Sequence, residues 1–179
     1  SSIACGNDSV VVLSQNGLVF RSSISNQSNV LNFEYVDEFD GEKVDCISGS
    51  FEHFIAVCKS GRVFGCGRNM CGELGLGKKD KTPIPYFIEI LTFNGYKIIA
   101  CYAGVSNSFF VTQEGKILSC GWDNFGQLLR ADIPKESVCL PTETLINSDA
   151  KFCIASNVLG LAFIEKPPPP NTPNMRITL

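Results

Sequence analysis

Short apolar runs separated by clusters of glycine and polar residues make up most of the chain. Among them are "SVVVL", "HFIAVC", "RVFGC", "YFIEIL", "KIIACYA", "SFFVT" and "KILSC". No segment keeps an apolar helical period over a helix's length, so no long helix is expected. Runs of this length, rich in Val, Ile, Phe and Thr, predict short β-strands. Tight turns are expected at Asn16-Gly17, Ser60-Gly61 and Glu114-Gly115, because a glycine after a small or polar residue suits a hairpin turn.

The pattern repeats. "HFIAVCKSGRVFGCGRNMCGELG" (His53–Gly75) aligns without gaps with "NSFFVTQEGKILSCGWDNFGQLL" (Asn107–Leu129) at an offset of 54 residues. Gly61 falls on Gly115, Gly67 on Gly121, Gly72 on Gly126 and Leu74 on Leu128. An earlier copy, "SVVVLSQNGLVF", aligns through Gly17 but continues into polar Arg21–Asn29, and a fourth begins at "KFCIAS" and stops. Each unit reads as four strands: a hairpin, a third run such as "YFIEIL", and a fourth that starts with lysine in "KVDCISG", "KIIACYAG" and "KFCIAS". Short strands at even spacing predict radial repetition, a β-propeller built from four-stranded antiparallel sheets. The units are placed at about 3–48, 49–103, 104–155 and 156–166 (incomplete), giving one partial propeller over residues 1–166.

The stretches "VFGCGRNMCGELGLG" and "ILSCGWDNFGQLL" resemble the signature of the regulator of chromosome condensation repeat, with Asp123 and Gln127 at its Asn and Gln positions. The departures are Cys66 and Cys120 in place of the usual Trp, Leu129 in place of the last Gly, and a first copy without the motif. A kelch propeller is the nearest rival at this period, but its Gly-Gly doublet is absent. The resemblance implies a seven-bladed ring, of which this chain carries three to four blades. A half ring leaves sheet edges open, so the chain is expected to be part of a longer protein or to be completed by a partner. With no catalytic constellation placed by any motif, the chain is expected to be a non-catalytic protein-interaction scaffold. Some members of the family are exchange factors for a small Ran-like GTPase, but the resemblance does not map that activity onto residues here.

Composition narrows the field. A net charge of −3 offers no basic footprint for nucleic acid, and no apolar run reaches the length of a membrane span. The nine cysteines include no C-x-x-C pair, and His53 is the sole histidine. That argues against a metal site and for reduced thiols in the cytosol or nucleus. Cys46, Cys101 and Cys153 recur at one repeat position, as core packing predicts, whereas Cys71 and Cys139 fall outside the strands. No cofactor is indicated.

Three features invite a functional reading. Gly72–Lys79 nearly spells a phosphate-binding loop, G-x-x-x-x-G-K, but Lys79 stands where the metal-holding hydroxyl belongs and no helix is signalled after it. His53 has no nucleophile and acid placed beside it by any motif, so a structural role is expected. Partner binding is assigned to the loop residues that differ between copies (Arg68, Met70, Trp122 and Phe125) and to Asp37, Glu38 and Asp40 of an acidic stretch. Gly61, Gly67, Gly72, Leu74, Gly115, Gly121, Gly126 and Leu128 are assigned to the framework. The tail 167–179, with Pro167–Pro170, is expected to be an extended linker.

Overall fold

The computed structural model describes residues 1–23, 32–93, 95–130, 137–147, 150–154 and 161–164. Part of Arg21–Asn29 and the whole proline-rich tail lie outside them. Every regular element among the described residues is a strand. Strands β1 (Ser2–Cys5), β2 (Ser9–Leu13), β3 (Val19–Ser23) and β4 (Glu34–Val36) form one antiparallel sheet. A second contains β5 (Val44–Ser50), β6 (His53–Cys58), β7 (Val63–Gly67) and β8 (Ile84–Glu89). A third contains β9 (Ile98–Ala103), β10 (Asn107–Thr112), β11 (Lys116–Gly121) and β12 (Val138–Asn147). A two-stranded sheet, β13 (Ala150–Ile154) with β14 (Leu161–Ile164), follows.

The sheets fan out as blades. Their first strands β1, β5, β9 and β13 stand side by side in that order, and β4, β8 and β12 lie at the periphery. The described sheets form part of a ring and do not close it. The sequence period and the sheets are one strand out of phase. The lysine-led run that ends each sequence unit is hydrogen-bonded as the first strand of the next sheet, as where Cys46 pairs with Val57 and Cys101 with Phe110. A repeat in sequence has a length but no starting point; only the hydrogen bonds supply one.

Packing explains why β6 and β10 read as unbroken apolar runs. All six residues of each are buried, because sheets stack on both sides of them. In β6, side chains alternate between two cores. Phe54, Ala56 and Cys58 join Val11, Leu13, Val19 and Phe64 between the first two sheets, whereas Ile55 and Val57 join Leu74, Phe110 and Leu118 between the second and third. The first sheet is covered on one side only: Val11 and Leu13 are buried, Val10 and Val12 half-buried, and Ile3 is 68% exposed.

The antiparallel course sorts the connections onto two faces. One carries the β1–β2, β5–β6 and β9–β10 turns together with the β7–β8 and β11–β12 loops. The other carries the β2–β3, β6–β7 and β10–β11 hairpin turns and the links between blades.

Candidate functional site

The loop after β7, residues 68–83, and the described start of the connection after β11, residues 122–130, begin alike because the preceding glycine allows only one path. Gly67 and Gly121 have φ of 96° and 111°, in the region that favours glycine. A Cβ at Gly67 would run into the Glu52 carbonyl oxygen, and one at Gly121 into that of Ser106. Those carbonyls accept the next amides, Arg68 N–H at 2.8 Å and Trp122 N–H at 2.8 Å. Each loop is then pinned twice from within. Asn69 Oδ1 accepts Leu74 N–H at 3.0 Å, and Asp123 Oδ1 accepts Leu128 N–H at 2.9 Å. Glu73 Oε2 accepts Cys71 N–H at 2.6 Å, and Gln127 Oε1 accepts Phe125 N–H at 2.9 Å. Asn69 also donates to Lys78 O at 3.0 Å and to Asp80 Oδ2 at 2.8 Å. These bonds fix Leu74 and Leu128 in the core, both fully buried. Leu129, standing where the first loop has Gly75, adopts the same left-handed backbone at φ 57°.

The near-match to a phosphate loop is closed by this geometry. The amides of Gly72, Gly75 and Gly77 donate to the carbonyls of Asn69, Gly72 and Cys139, so three of the donors that such a loop aims at phosphate are already engaged. Lys78 pairs with Asp80 at 2.9 Å. Among the described residues, no group of three or more His, Cys, Asp and Glu side chains is placed to hold a metal.

His53 is fully buried between two blades. The Ser108 hydroxyl donates to Glu73 O at 2.7 Å and therefore accepts from His53 Nε2–H at 2.9 Å. This fixes the neutral tautomer, leaving buried His53 Nδ1 unprotonated and without a hydrogen-bond partner. Burial, helped by the nearby Arg68 charge, lowers the His53 pKa to about 4. Glu73 is also buried, and desolvation pushes its carboxyl up.

Arg68 and Trp122, assigned to partner binding from the sequence, are brought together through Ser106. The Arg68 guanidinium donates to Ser106 Oγ at 3.2 Å, and the Trp122 amide to Ser106 O at 2.8 Å. Trp122 packs edge-on against Phe125, with ring centroids 5.4 Å apart. On its other side Arg68 lies 3.8 Å from the Glu52 carboxylate and 3.7 Å from that of Glu73. Phe51, next to Glu52, is 44% exposed, Met70 is 53% exposed and Phe125 is 74% exposed. One face thus carries a strip from Phe51 and Glu52 through Arg68 and Ser106 to Trp122 and Phe125. The sequence reading missed Phe51, Glu52 and Ser106. They sit in short turns whose only signal is their place between strands.

Asp37, Glu38 and Asp40 lie on the opposite face, in the β4–β5 link. There the Arg62 guanidinium holds Asp40 at 2.8 Å, Glu42 at 2.7 Å and Glu89 at 2.6 Å. Those bonds raise the Arg62 pKa and keep the Glu42 and Glu89 carboxyls low; for Glu42, the Ser60 hydroxyl contributes most. Asp37 remains exposed and Glu38 half-buried.

The thiols divide similarly. Cys66 and Cys120 are fully buried; Cys71 and Cys139 are half-buried and Cys5 exposed. Cys139 packs on Gly72, and Cys120 Sγ donates to Glu73 O at 3.5 Å.

A fan of antiparallel sheets, three of them four-stranded, in which the loops after β7 and β11 repeat one bonding scheme, defines a repeat-built β-propeller. The family model described as "Regulator of chromosome condensation (RCC1) repeat" matches residues 60–111. The chain is 29% identical over 136 residues to the Ultraviolet-B receptor UVR8 of Arabidopsis thaliana, covering 71% of this chain and 30% of that protein. It is 32% identical over 108 residues to the Secretion-regulating guanine nucleotide exchange factor of Bos taurus, covering 59% of this chain and 22% of that protein. In fold it is similar to Prp20p of Saccharomyces cerevisiae, whose structure was described with its binding to Gsp1p and histones. The TM-score is 0.72 at 17% identity, over 90% of this chain and 43% of that one. The chain belongs to the RCC1-repeat family, and it spans less than half the length of each of these relatives.

Proposed function

We propose that the chain is a non-catalytic protein-interaction module that binds through the face carrying Arg68, Met70, Trp122 and Phe125. The observation behind this reading is the strip itself. Exposed Phe51 and Phe125 flank an Arg68 that the fold holds beside Trp122 through Ser106. Aromatic and arginine side chains held rigidly are the usual anchors of an interface. The uncovered side of the first sheet is where further repeats, in the same protein or in a second chain, would seat. Asp37 and the Arg62 cluster on the opposite face play a subsidiary steering role.

Affinity purification with matched baits tests the assignment. A partner retained by the wild-type chain and by Glu143→Ala, on the far face, but lost from Trp122→Ala/Phe125→Ala supports it. Equal retention by all three overturns it.

A second reading is favoured by the exchange-factor relative and by the Prp20p fold: a portion of a guanine-nucleotide exchange factor for a small Ran-like GTPase. Release of a fluorescent guanine nucleotide from such a GTPase, measured with and without the chain, decides it. Acceleration that rises with chain concentration establishes exchange, and an unchanged rate leaves the binding module alone.

A further inference from the structure

The fan places a pair of thiols in contact away from the proposed binding face. β5 and β9 stand side by side at its centre, and the cysteine of each, Cys46 opposite Val57 and Cys101 opposite Phe110, sits one position out of register with the other, so that the two point from opposite faces of their sheets into one shared core. Their sulfur atoms are 3.8 Å apart, in van der Waals contact across the boundary between two blades. Cys101 is buried and Cys46 half-buried, so one thiol of the pair has an approach for a small reagent while the other waits behind it.

We propose that Cys46 and Cys101 form a reversible inter-blade disulfide site whose oxidant is hydrogen peroxide. Cys46 reacts first. Its sulfur attacks a peroxide oxygen, an S–O bond forms as the O–O bond breaks, and the hydroxide released takes the thiol proton as water. Cys101 sulfur then attacks Cys46 sulfur. An S–S bond forms, the S–O bond breaks, and hydroxide leaves with the Cys101 proton as a second water. Peroxide gains two electrons, and the two thiols lose them.

The geometry suits this order. From 3.8 Å the sulfurs close to a bond of about 2.05 Å if each moves roughly 0.9 Å, within reach of side-chain rotation. The hydrogen bond from Cys101 favours a Cys46 thiolate and holds its pKa below the ordinary thiol value, while the same contact and burial push Cys101 up. The other core thiols are poorer nucleophiles: burial pushes Cys58 and Cys66 up to about 12, and the thiolate is the reactive form. The bond would join residues 55 apart in sequence, and long closed loops restrain the unfolded chain most.

The test uses the full chain, reduced, freed of reductant and exposed to equimolar hydrogen peroxide. Remaining thiols are then alkylated and the peptides analysed by mass spectrometry. A linked pair containing Cys46 and Cys101, lost again on addition of dithiothreitol, is the expected result. In a Cys5→Ser/Cys71→Ser/Cys139→Ser background the oxidised form should melt about 5 to 15 °C higher than the reduced one. Cys46 carried to sulfinic acid while Cys101 is alkylated would overturn the proposal. So would cross-links of either residue only to Cys153 or other thiols, or a melting temperature indifferent to the Cys46–Cys101 link.

Discussion

Lowering the pH should test the buried histidine more sharply than any substitution at the surface. His53 is neutral in the fold, its pKa lowered from an ordinary 6.5 to about 4 by burial and Arg68. Above pH 6.5 the imidazole is neutral in both folded and unfolded chains and contributes no pH dependence. Between 6.5 and about 4 the unfolded chain takes up a proton that the folded chain refuses, so stability falls as pH falls. The slope approaches about 1.4 kcal/mol per pH unit, and the interval accumulates about 3 kcal/mol. Below pH 4 the folded chain protonates too and this loss levels off. Glu73 has the opposite sign: its raised pKa means that acidification through the folded value stabilises. Urea unfolding from pH 7 to pH 4 on the wild type and on His53→Asn, the residue found at the equivalent position 107, separates the two. The variant keeps the Glu73 contribution and loses that of His53, so the wild-type curve should drop more steeply, by about 3 kcal/mol over the range. Parallel curves for the two proteins would refute the assignment of a buried neutral imidazole.

Other outcomes follow from the loops. Gly67→Ala combines a left-handed backbone with a Cβ driven into the Glu52 carbonyl and should cost about 3 kcal/mol or more. Gly41→Ala, at φ 75° with nothing within 4 Å of the added Cβ, should cost only about 1 kcal/mol by the same urea assay. Asn69→Ala removes the acceptor for Leu74 N–H and two donated bonds. A loss of about 2 to 4 kcal/mol by thermal or urea unfolding is expected. Lys78→Ala touches only an exposed pair with Asp80, so stability should change by under about 0.5 kcal/mol. Calorimetry with ATP or GTP should show no saturable binding to either the wild type or this variant.

The architecture was legible because its signal is redundant. An ungapped offset of 54 residues carries glycines, cysteines and leucines together, and each lands at the same structural place. Leu74 and Leu128 are fully buried, and Gly67 and Gly121 both face a carbonyl that excludes a side chain. What the sequence concealed are relations between blades. Ser106 and Ser108 of the third sheet meet Arg68, His53 and Glu73 of the second only when the sheets stack. Arg62 sits after an ordinary hairpin turn, and nothing in its neighbourhood announces three carboxylates drawn from the β4–β5 link and β8. The residues assigned to partner binding divided for the same reason. A linear chain gives no hint that the acidic link lies on one face and the Arg68–Trp122 strip on the other.

The loop after β7 does not end in its own sheet. Gly77 N–H donates to Cys139 O of β12, Gly72 rests on Cys139, and Gly75 on Pro141. Each of these contacts reaches forward to the outermost strand of the following blade, so the second blade is latched by the third. Unzipping from the C-terminal side therefore cannot peel off β12 without releasing the loop that anchors Leu74 in the core behind it. Melting should spread backwards through the array as one event instead of blade by blade, and hydrogen exchange at the bonded amides of Leu74 and Gly77 would time it.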